Sequence, residues 1–184
     1  MRIISGYLKG KKIFLPKDKF TRPLKDMVKE SIFNIINHSN NFSFQIKGAK
    51  ILDLFSGSGS FGLECISRGA ERVIFNENYK NAIEVLKKNI RNLNCVNKCQ
   101  ILESNCFELS ENFNQKVDLV FIDPPFKEKK INKLILSILD MKILKKEGII
   151  IIHRNKKYEE KICKNLNILD IRCYGLSKII FASN

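Results

Sequence analysis

The chain has 184 residues, 44% of them hydrophobic and 28% charged, which fits one soluble folded domain and excludes a disordered chain or two full-sized domains. Its net charge is +14 and its isoelectric point about 9.6, a surplus that suits a polyanion, since Lys and Arg neutralise phosphates and release counterions; a chain this rich in Lys, Asn and Ile would also carry such charge with no ligand. No apolar run approaches the ~18 residues of a membrane span, and the first residues lack the apolar region of ~7–15 residues that marks a secretory signal, so a cytoplasmic enzyme with no membrane contact is expected.

Arg2–Ser5 and Lys11–Leu15 flank the Gly6 to Gly10 turn and predict an N-terminal β-hairpin. Pro16 ends it. Thr21 is placed as a helix cap with Pro23 in the first turn, and Leu24, Met27, Val28, Ile32, Ile35 and Ile36 recur at helical spacing to about His38. From Ala49 the rhythm changes. Strands are predicted at Lys50–Phe55, Arg72–Phe75, Cys99–Leu102, Val117–Ile122 and Gly148–Ile152, with helices at Phe61–Ser67, Tyr79–Leu93, Ile131–Leu139 and Tyr158–Lys164 between or after them. Ile168–Cys173 and Ser177–Phe181 are closing strands. Such alternation predicts an α/β fold, a mostly parallel sheet covered by helices on both faces. Ligands bind such sheets beyond the carboxyl ends of the strands, and the two informative motifs begin there.

The six cysteines include no CxxC pair; Cys95 and Cys99 are the closest, and His38 and His153 are the only histidines. Zinc sites usually show tighter paired spacing. Reduced thiols and no metal are expected.

The first motif is Gly57-Ser58-Gly59-Ser60-Phe61-Gly62, directly after a strand and before a helix. Its glycines permit a tight turn and close backbone approach to a ligand. Alone, the loop suits a dinucleotide as readily as S-adenosylmethionine. Asp53 precedes it in Asp-x-Phe-x-Gly-x-Gly, the form common in class I methyltransferases. Glu77 follows the next strand, where an acid can accept from both ribose hydroxyls, as it also does in NAD folds. Asn105 follows the third strand, where an Asp commonly accepts from the adenine amine; an amide oxygen can accept that bond too. Phe55, Gly57, Gly59 and Cys106 complete the expected cofactor-binding set.

The second motif, Asp123-Pro124-Pro125-Phe126, follows the fourth strand. An exocyclic amine on a base is a poor nucleophile because its lone pair is delocalised into the ring. Acceptors aimed at its two N–H bonds align it and favour the localised pair. The Asp123 carboxylate is one acceptor and the Pro124 carbonyl the second, held by consecutive prolines that fix φ and carry no N–H. Phe126 offers a face on which a flipped base can stack. The motif is also compatible with a plain Pro-Pro loop after a strand.

Asp-Pro-Pro-Phe is a variant of the (Asp/Asn/Ser)-Pro-Pro-(Tyr/Phe/Trp) motif of amino-group methyltransferases. Further runs narrow the likeness: Arg2-Ile3-Ile4-Ser5-Gly6 with Lys9-Gly10-Lys11, Thr21-Arg22-Pro23 with Glu30-Ser31-Ile32-Phe33-Asn34-Ile35, Gly62-Leu63-Glu64, Ser67-Arg68-Gly69-Ala70 and Tyr174-Gly175. Across nearly its whole length the chain resembles the RsmD-type 16S rRNA (guanine-N2)-methyltransferases. The resemblance implies a Rossmann-like class I methyltransferase sheet of seven strands with a reversed last strand. It implies S-adenosylmethionine as cofactor and N2-methylation of a guanine in the assembled or partly assembled small ribosomal subunit, by a monomer. In that frame the chain is one methyltransferase domain, residues 1–184. Residues 1–46 form a hairpin and helix extension for RNA contact, and 47–184 form the catalytic core. Arg2, Lys9, Lys11 and Arg22 become the candidate RNA contacts. Asn105 and the Asn76-Glu77 pair, where an apolar residue usually precedes the acid, depart from the family pattern. Rival readings are the same chemistry on adenine N6 of DNA or another RNA, an NAD-dependent oxidoreductase, and a non-catalytic rRNA-binding protein. A DNA enzyme would need a recognition domain, and an oxidoreductase a substrate domain.

Overall fold

The computed structural model describes residues 1–18, 24–41, 43–109, 113–157 and 162–184. After a first helix α1 (Asp26–His38), strands and helices alternate: β1 (Lys50–Leu54), α2 (Ser60–Ser67), β2 (Arg72–Asn76), α3 (Lys80–Asn92), β3 (Cys99–Leu102), β4 (Val117–Ile122), α4 (Ile131–Asp140) and β5 (Leu144–Asn155). The chain closes with β6 (Asn167–Tyr174) and β7 (Ser177–Ser183). The strands form one seven-stranded sheet in the order β3-β2-β1-β4-β5-β7-β6. Neighbours from β3 to β5 are parallel, and β7 runs antiparallel to both β5 and β6. The strand order reverses between β1 and β4, because β2 and β3 lie on one side of β1 and all later strands on the other. That switch opens a crevice above the carboxyl ends of β1 and β4.

Period-two alternation sorts the strand side chains. Ile51, Val73, Phe75, Leu119, Phe121, Ile149, Ile151, Ile179 and Phe181 face one layer with α1, α2 and α3. Leu52, Leu54, Ile74, Val120, Ile122, Ile150, Ile152, Ile180 and Ala182 face the other with α4. Strands buried on both faces have no polar side, which is why β4 is Val, Ile, Leu or Phe at all but Asp118 and the centre of β5 is the unbroken run Ile149–Ile152. Each such side chain, fully buried, contributes about 1.5–3 kcal/mol.

Three differences from the sequence-based expectation have local causes. β5 starts at Leu144, before the expected Gly148, because a register shift between Val117 and Leu119 lets Leu144 pair with Val117. The helix predicted over Tyr158–Lys164 falls partly outside the described residues, and 162–164 are not helical. There the Cys163 N–H donates to the Asn132 side chain at 3.0 Å in place of a helical carbonyl. Met27, expected on the apolar stripe of the first helix, is 62% exposed; the buried face is Val28, Ile32, Phe33 and Ile36. The expected cap Thr21 and Pro23 lie outside the described residues.

The N-terminal hairpin is one antiparallel bridge, Arg2 to Lys12, with Ile3 N–H donating to Lys11 O and Ile13 N–H to Met1 O. Too short to stand alone, it is fastened to α2. The fully buried Glu64 carboxylate accepts from Ile4 N–H at 2.8 Å and Ser5 N–H at 2.9 Å. It also pairs with Arg68 at 2.9 Å and with the fully buried Lys29 ammonium of α1 at 3.8 Å. Burial lowers the Lys29 pKa from its usual value, against the opposing pull of Glu64 and Asp26. Asn89 of α3 completes the attachment, accepting from Phe14 N–H and donating to the carbonyls of Phe14 and Ser58.

Candidate active site

The crevice is an open cleft of about 1030 Å³. Phe55, Ser56, Gly57, Ser58 and Ser60 line one end, with Glu77, Asn78, Tyr79, Asn105 and Phe107 beside them. Asp123, Pro124, Pro125, Phe126, His153 and Ser177 line the other. Both motifs therefore converge on one space.

At the first end the backbone turns sharply. Phe55 takes φ +58° and Gly57 φ +54°, conformations that a residue with a Cβ adopts at a cost. Gly59, at φ +81°, caps α2, and a Cβ there would stand 2.4 Å from Leu86 Cδ1. A Cβ on Gly62 would stand 2.4 Å from Phe75 Cε1, so the third glycine lets α2 lie against the sheet. Strand alternation turns Asp53 under α2, where its Oδ2 accepts from Gly62 N–H at 3.0 Å. It is 1% exposed and fastens the loop from beneath without lining the cleft. Burial pushes its carboxyl well above the usual carboxylate range; the charges of Asp123 and Glu77 add to the rise and the Gly62 N–H opposes it.

Glu77 lines the cleft and is anchored by the backbone. Its Oε2 accepts from Gly57 N–H at 2.7 Å, and its Oε1 from Asn78 and Tyr79 N–H, each at 2.9 Å. The polar Asn76 before this acid serves the frame of the site. Its Nδ2 donates to Leu102 O, Ser104 O and Ser104 Oγ, which ties β2 to the loop after β3. Asn105 faces the cleft, yet its amide oxygen caps a short 3₁₀ turn by accepting from Phe107 N–H at 3.1 Å. Cys106 does not reach the cleft; it is 3% exposed, and burial pushes its thiol up to about 12.

At the second end Asp123 N–H donates to Leu54 O at 3.4 Å, which continues the β1 to β4 ladder by one step. Asp123 Oδ1 lies 2.8 Å from His153 Nδ1. Among the described residues nothing donates to its Oδ2 or to the Pro124 carbonyl. The next carbonyls are engaged: Arg154, buried on β5, donates to Pro125 O at 3.3 Å, Phe126 O at 3.4 Å and Glu128 O at 2.7 Å. The loop thus leaves two acceptors on consecutive cleft-lining residues without a described donor, and Phe126 lines the same end. Sequence reasoning missed Arg154, His153 and Ser177. The signal was present: strand alternation places residue 153 beside 123 on one face and sends residue 154 to the other.

The candidate RNA contacts are scattered. Arg2, Lys9 and Lys11 are exposed and line no part of the cleft. The hairpin turn rests on the last residue of α2, with Tyr7 N–H on Ser67 O and Leu8 N–H on Ser67 Oγ. That is the opposite end of the sheet. Arg22 lies outside the described residues. The lysines that do line the cleft are Lys25, Lys127 and Lys130. Among the described residues no cluster of three His, Cys, Asp or Glu could hold a metal ion, and no helix is long and apolar enough to cross a membrane.

A sheet in this order with one reversed strand, a glycine-rich turn after β1 and Asp-Pro-Pro-Phe after β4 define a Rossmann-like methyltransferase. The family model described as Conserved hypothetical protein 95 matches residues 1–183. The chain belongs to that family. It is 35% identical over 179 residues to the ribosomal RNA small subunit methyltransferase D of Buchnera aphidicola (94% of this chain, 90% of that protein). It is 31% identical over 150 residues to the protein of that name from Escherichia coli (82% of this chain, 72% of that protein). The solved structure of yhhF from Escherichia coli, provisionally described as a methyltransferase, superposes with a TM-score of 0.83 over 99% of this chain and 96% of that one, at 26% identity.

Proposed function

We propose that the protein transfers a methyl group from S-adenosylmethionine to the exocyclic N2 amine of a guanine in 16S rRNA, within the assembled or partly assembled small subunit. The observation that carries this reading is the pair of acceptors on consecutive cleft residues, Asp123 Oδ2 and the Pro124 carbonyl, to which no described residue donates. A primary aromatic amine presents two N–H bonds, and two acceptors held apart by a rigid loop orient both. Phe126 supplies the stacking face for a base taken out of its helix. Asp123 need not be a strong base, because the amine nitrogen becomes acidic once methylated.

The chemistry of the first end suits this cofactor. Bound there, S-adenosylmethionine would supply an electrophilic methyl on a sulfonium that departs as a neutral thioether. Asp53 feels the negative charges of Asp123 and Glu77, and a cationic ligand relieves that repulsion where a pyrophosphate would add to it. The Glu77 carboxylate also occupies Gly57 N–H, one of the loop donors a dinucleotide's phosphates would take. Glu77 would receive the ribose hydroxyls, and the adjoining rings of Phe55 and Phe107, 5.8 Å apart, would offer the adenine an apolar wall. In this reading the enzyme acts as a monomer on rRNA in the cytoplasm. Residues 1–46 are then an extension for RNA contact and 47–184 the catalytic core.

The test is incubation of the purified protein and labelled S-adenosylmethionine with small subunits, naked 16S rRNA and DNA, followed by nucleoside analysis. The expected product is N2-methylguanosine, formed best on subunits. N6-methyladenosine would overturn the base assignment, and no labelled nucleoside from any arm would overturn the reading as a whole.

A further inference from the structure

We infer that His153 is a positioning residue that holds the Asp123 carboxylate and the Phe126 ring in register for the amine, and that Ser177 fixes the imidazole in that orientation. The inference rests on the reading of Asp123 as an amine acceptor. It begins with strand alternation. Phe121 on β4, Ile151 on β5 and Ile179 on β7 face the same layer, so Asp123, His153 and Ser177, each two residues further toward the cleft, continue that face above its apolar part. His153 pairs with Ile179 across the antiparallel ladder and Asn155 with Ser177, which sets Ser177 diagonally beside the imidazole.

The contacts follow. His153 Nδ1 lies 2.8 Å from Asp123 Oδ1 and its Nε2 lies 2.9 Å from Ser177 Oγ. A carboxylate oxygen only accepts, so the nitrogen facing it carries the hydrogen; in the neutral ring the other nitrogen accepts from the Ser177 hydroxyl. The ring, its side chain only 7% exposed, is thus held at both nitrogens. It also meets Phe126 edge-on, with centroids 5.6 Å apart and planes at 81°. A carboxylate turns easily about its last torsion, which has broad wells. The hydrogen bond to Oδ1 fixes the carboxylate plane and leaves Oδ2 as the open acceptor. One ring therefore braces two of the groups that would hold the base, and misplacement by ~1 Å in such an arrangement costs on the order of 10²-fold in rate.

The test compares His153→Asn, His153→Gln and His153→Phe in single-turnover methyl transfer, with active sites counted by cofactor binding so that unequal folding drops out. The Asn amide nitrogen falls where Nδ1 lies and keeps the bond to Asp123, whereas the Gln nitrogen falls nearer Nε2 and keeps only Ser177. We expect His153→Gln and His153→Phe to lose ~10–100-fold in the transfer rate with cofactor affinity nearly unchanged, and His153→Asn to stay within about 3-fold of the parent. A merely structural histidine would make the longer Gln at least as good as Asn. That order, or a loss confined to cofactor or RNA affinity, overturns the inference. Asp123→Ala in the same assay separates the two levels: normal transfer by that variant defeats the functional reading itself, whereas loss there with unaffected His153 variants defeats only the role of His153.

Discussion

The two ends of the cleft handle their carboxylates in opposite ways. At the glycine-loop end the acids are used internally. Asp53 accepts from Gly62 N–H, and Glu77 accepts from Gly57, Asn78 and Tyr79 N–H, so the cradle is built before any ligand arrives. At the Asp-Pro-Pro-Phe end the bonding surrounds the acceptors and stops short of filling them. Arg154 takes the carbonyls of Pro125, Phe126 and Glu128, and His153 takes one oxygen of Asp123. Two motifs that look alike in the sequence, each an acid beside turn-forming residues, thus divide the work. One shapes a binding surface, and the other withholds two acceptors for a substrate.

Exchanging the damage between the ends breaks this division most sharply. Asp123→Ala removes an acceptor matched to the developing charge and should lower single-turnover transfer by on the order of 10²–10³-fold or more, while the cofactor dissociation constant stays near that of the parent. Glu77→Ala leaves three backbone N–H groups without their acceptor and should weaken cofactor binding ~10–100-fold. Its transfer rate at saturating cofactor should change far less. Isothermal titration for affinity and rapid quench for the rate read the two effects separately. If Glu77→Ala lost rate and Asp123→Ala lost affinity, the division of labour would be wrong.

The fold and both motifs were legible because they depend on local pattern. Short apolar runs and helical spacing placed every strand and α-helix from Lys50 to Leu139 within a residue or two, and the turn chemistry of Gly57, Gly59 and Pro124 depends on backbone constraints that each residue carries by itself. What stayed hidden lies across strands. His153 looked like one of two histidines with no cysteine partner, because its relation to Asp123 depends on β4 to β5 register. Lys29 carries no local signal of its place, which is fully buried against Glu64. The basic N-terminal region was legible as charge but not as position. Its hairpin turn sits at the foot of the sheet, and Lys25 sits at the cleft.

That positional split gives the next prediction, which extends the comparison from carboxylates to lysines. Lys127 and Lys130 flank the acceptors, whereas Lys9 and Lys11 lie by the distant hairpin turn. Lys127→Glu with Lys130→Glu should weaken a short RNA stem carrying the target guanine and the whole subunit alike, by roughly 10-fold at ~0.1 M salt. Each lost phosphate contact should also lower the slope of log affinity against log salt by about 1. Lys9→Glu with Lys11→Glu should leave the short stem unaffected and weaken only the subunit, whose RNA extends far enough to pass the foot of the sheet. Filter binding across a salt series tests both, and a hairpin variant that loses the short stem would mean that the hairpin and cleft act as one surface.

The smallest effect probes the cost of building the first end in advance. Asp53 holds Gly62 from a position 1% exposed, and its carboxyl is raised well above the usual range, chiefly by burial. A folded-state acid that keeps its proton to higher pH than the unfolded one makes stability fall as pH rises. The fall begins near the unfolded value of about 3.9 and levels off above the raised folded value. Asp53→Asn retains an oxygen for the Gly62 N–H and has no charge to desolvate. The variant should therefore melt with the parent below about pH 4 and progressively above it as the pH rises, gaining about 2–4 °C for each kcal/mol relieved in a chain of this length. Its cofactor affinity should fall at the same time, because the acid that destabilises the ligand-free fold also attracts a cationic ligand. Thermal melts across pH, with and without S-adenosylmethionine, measure both. A melting difference that does not change with pH would mean that Asp53 titrates alike in the folded and unfolded chain and only fastens the loop. The preformed end would then carry no stored electrostatic cost for a sulfonium to relieve.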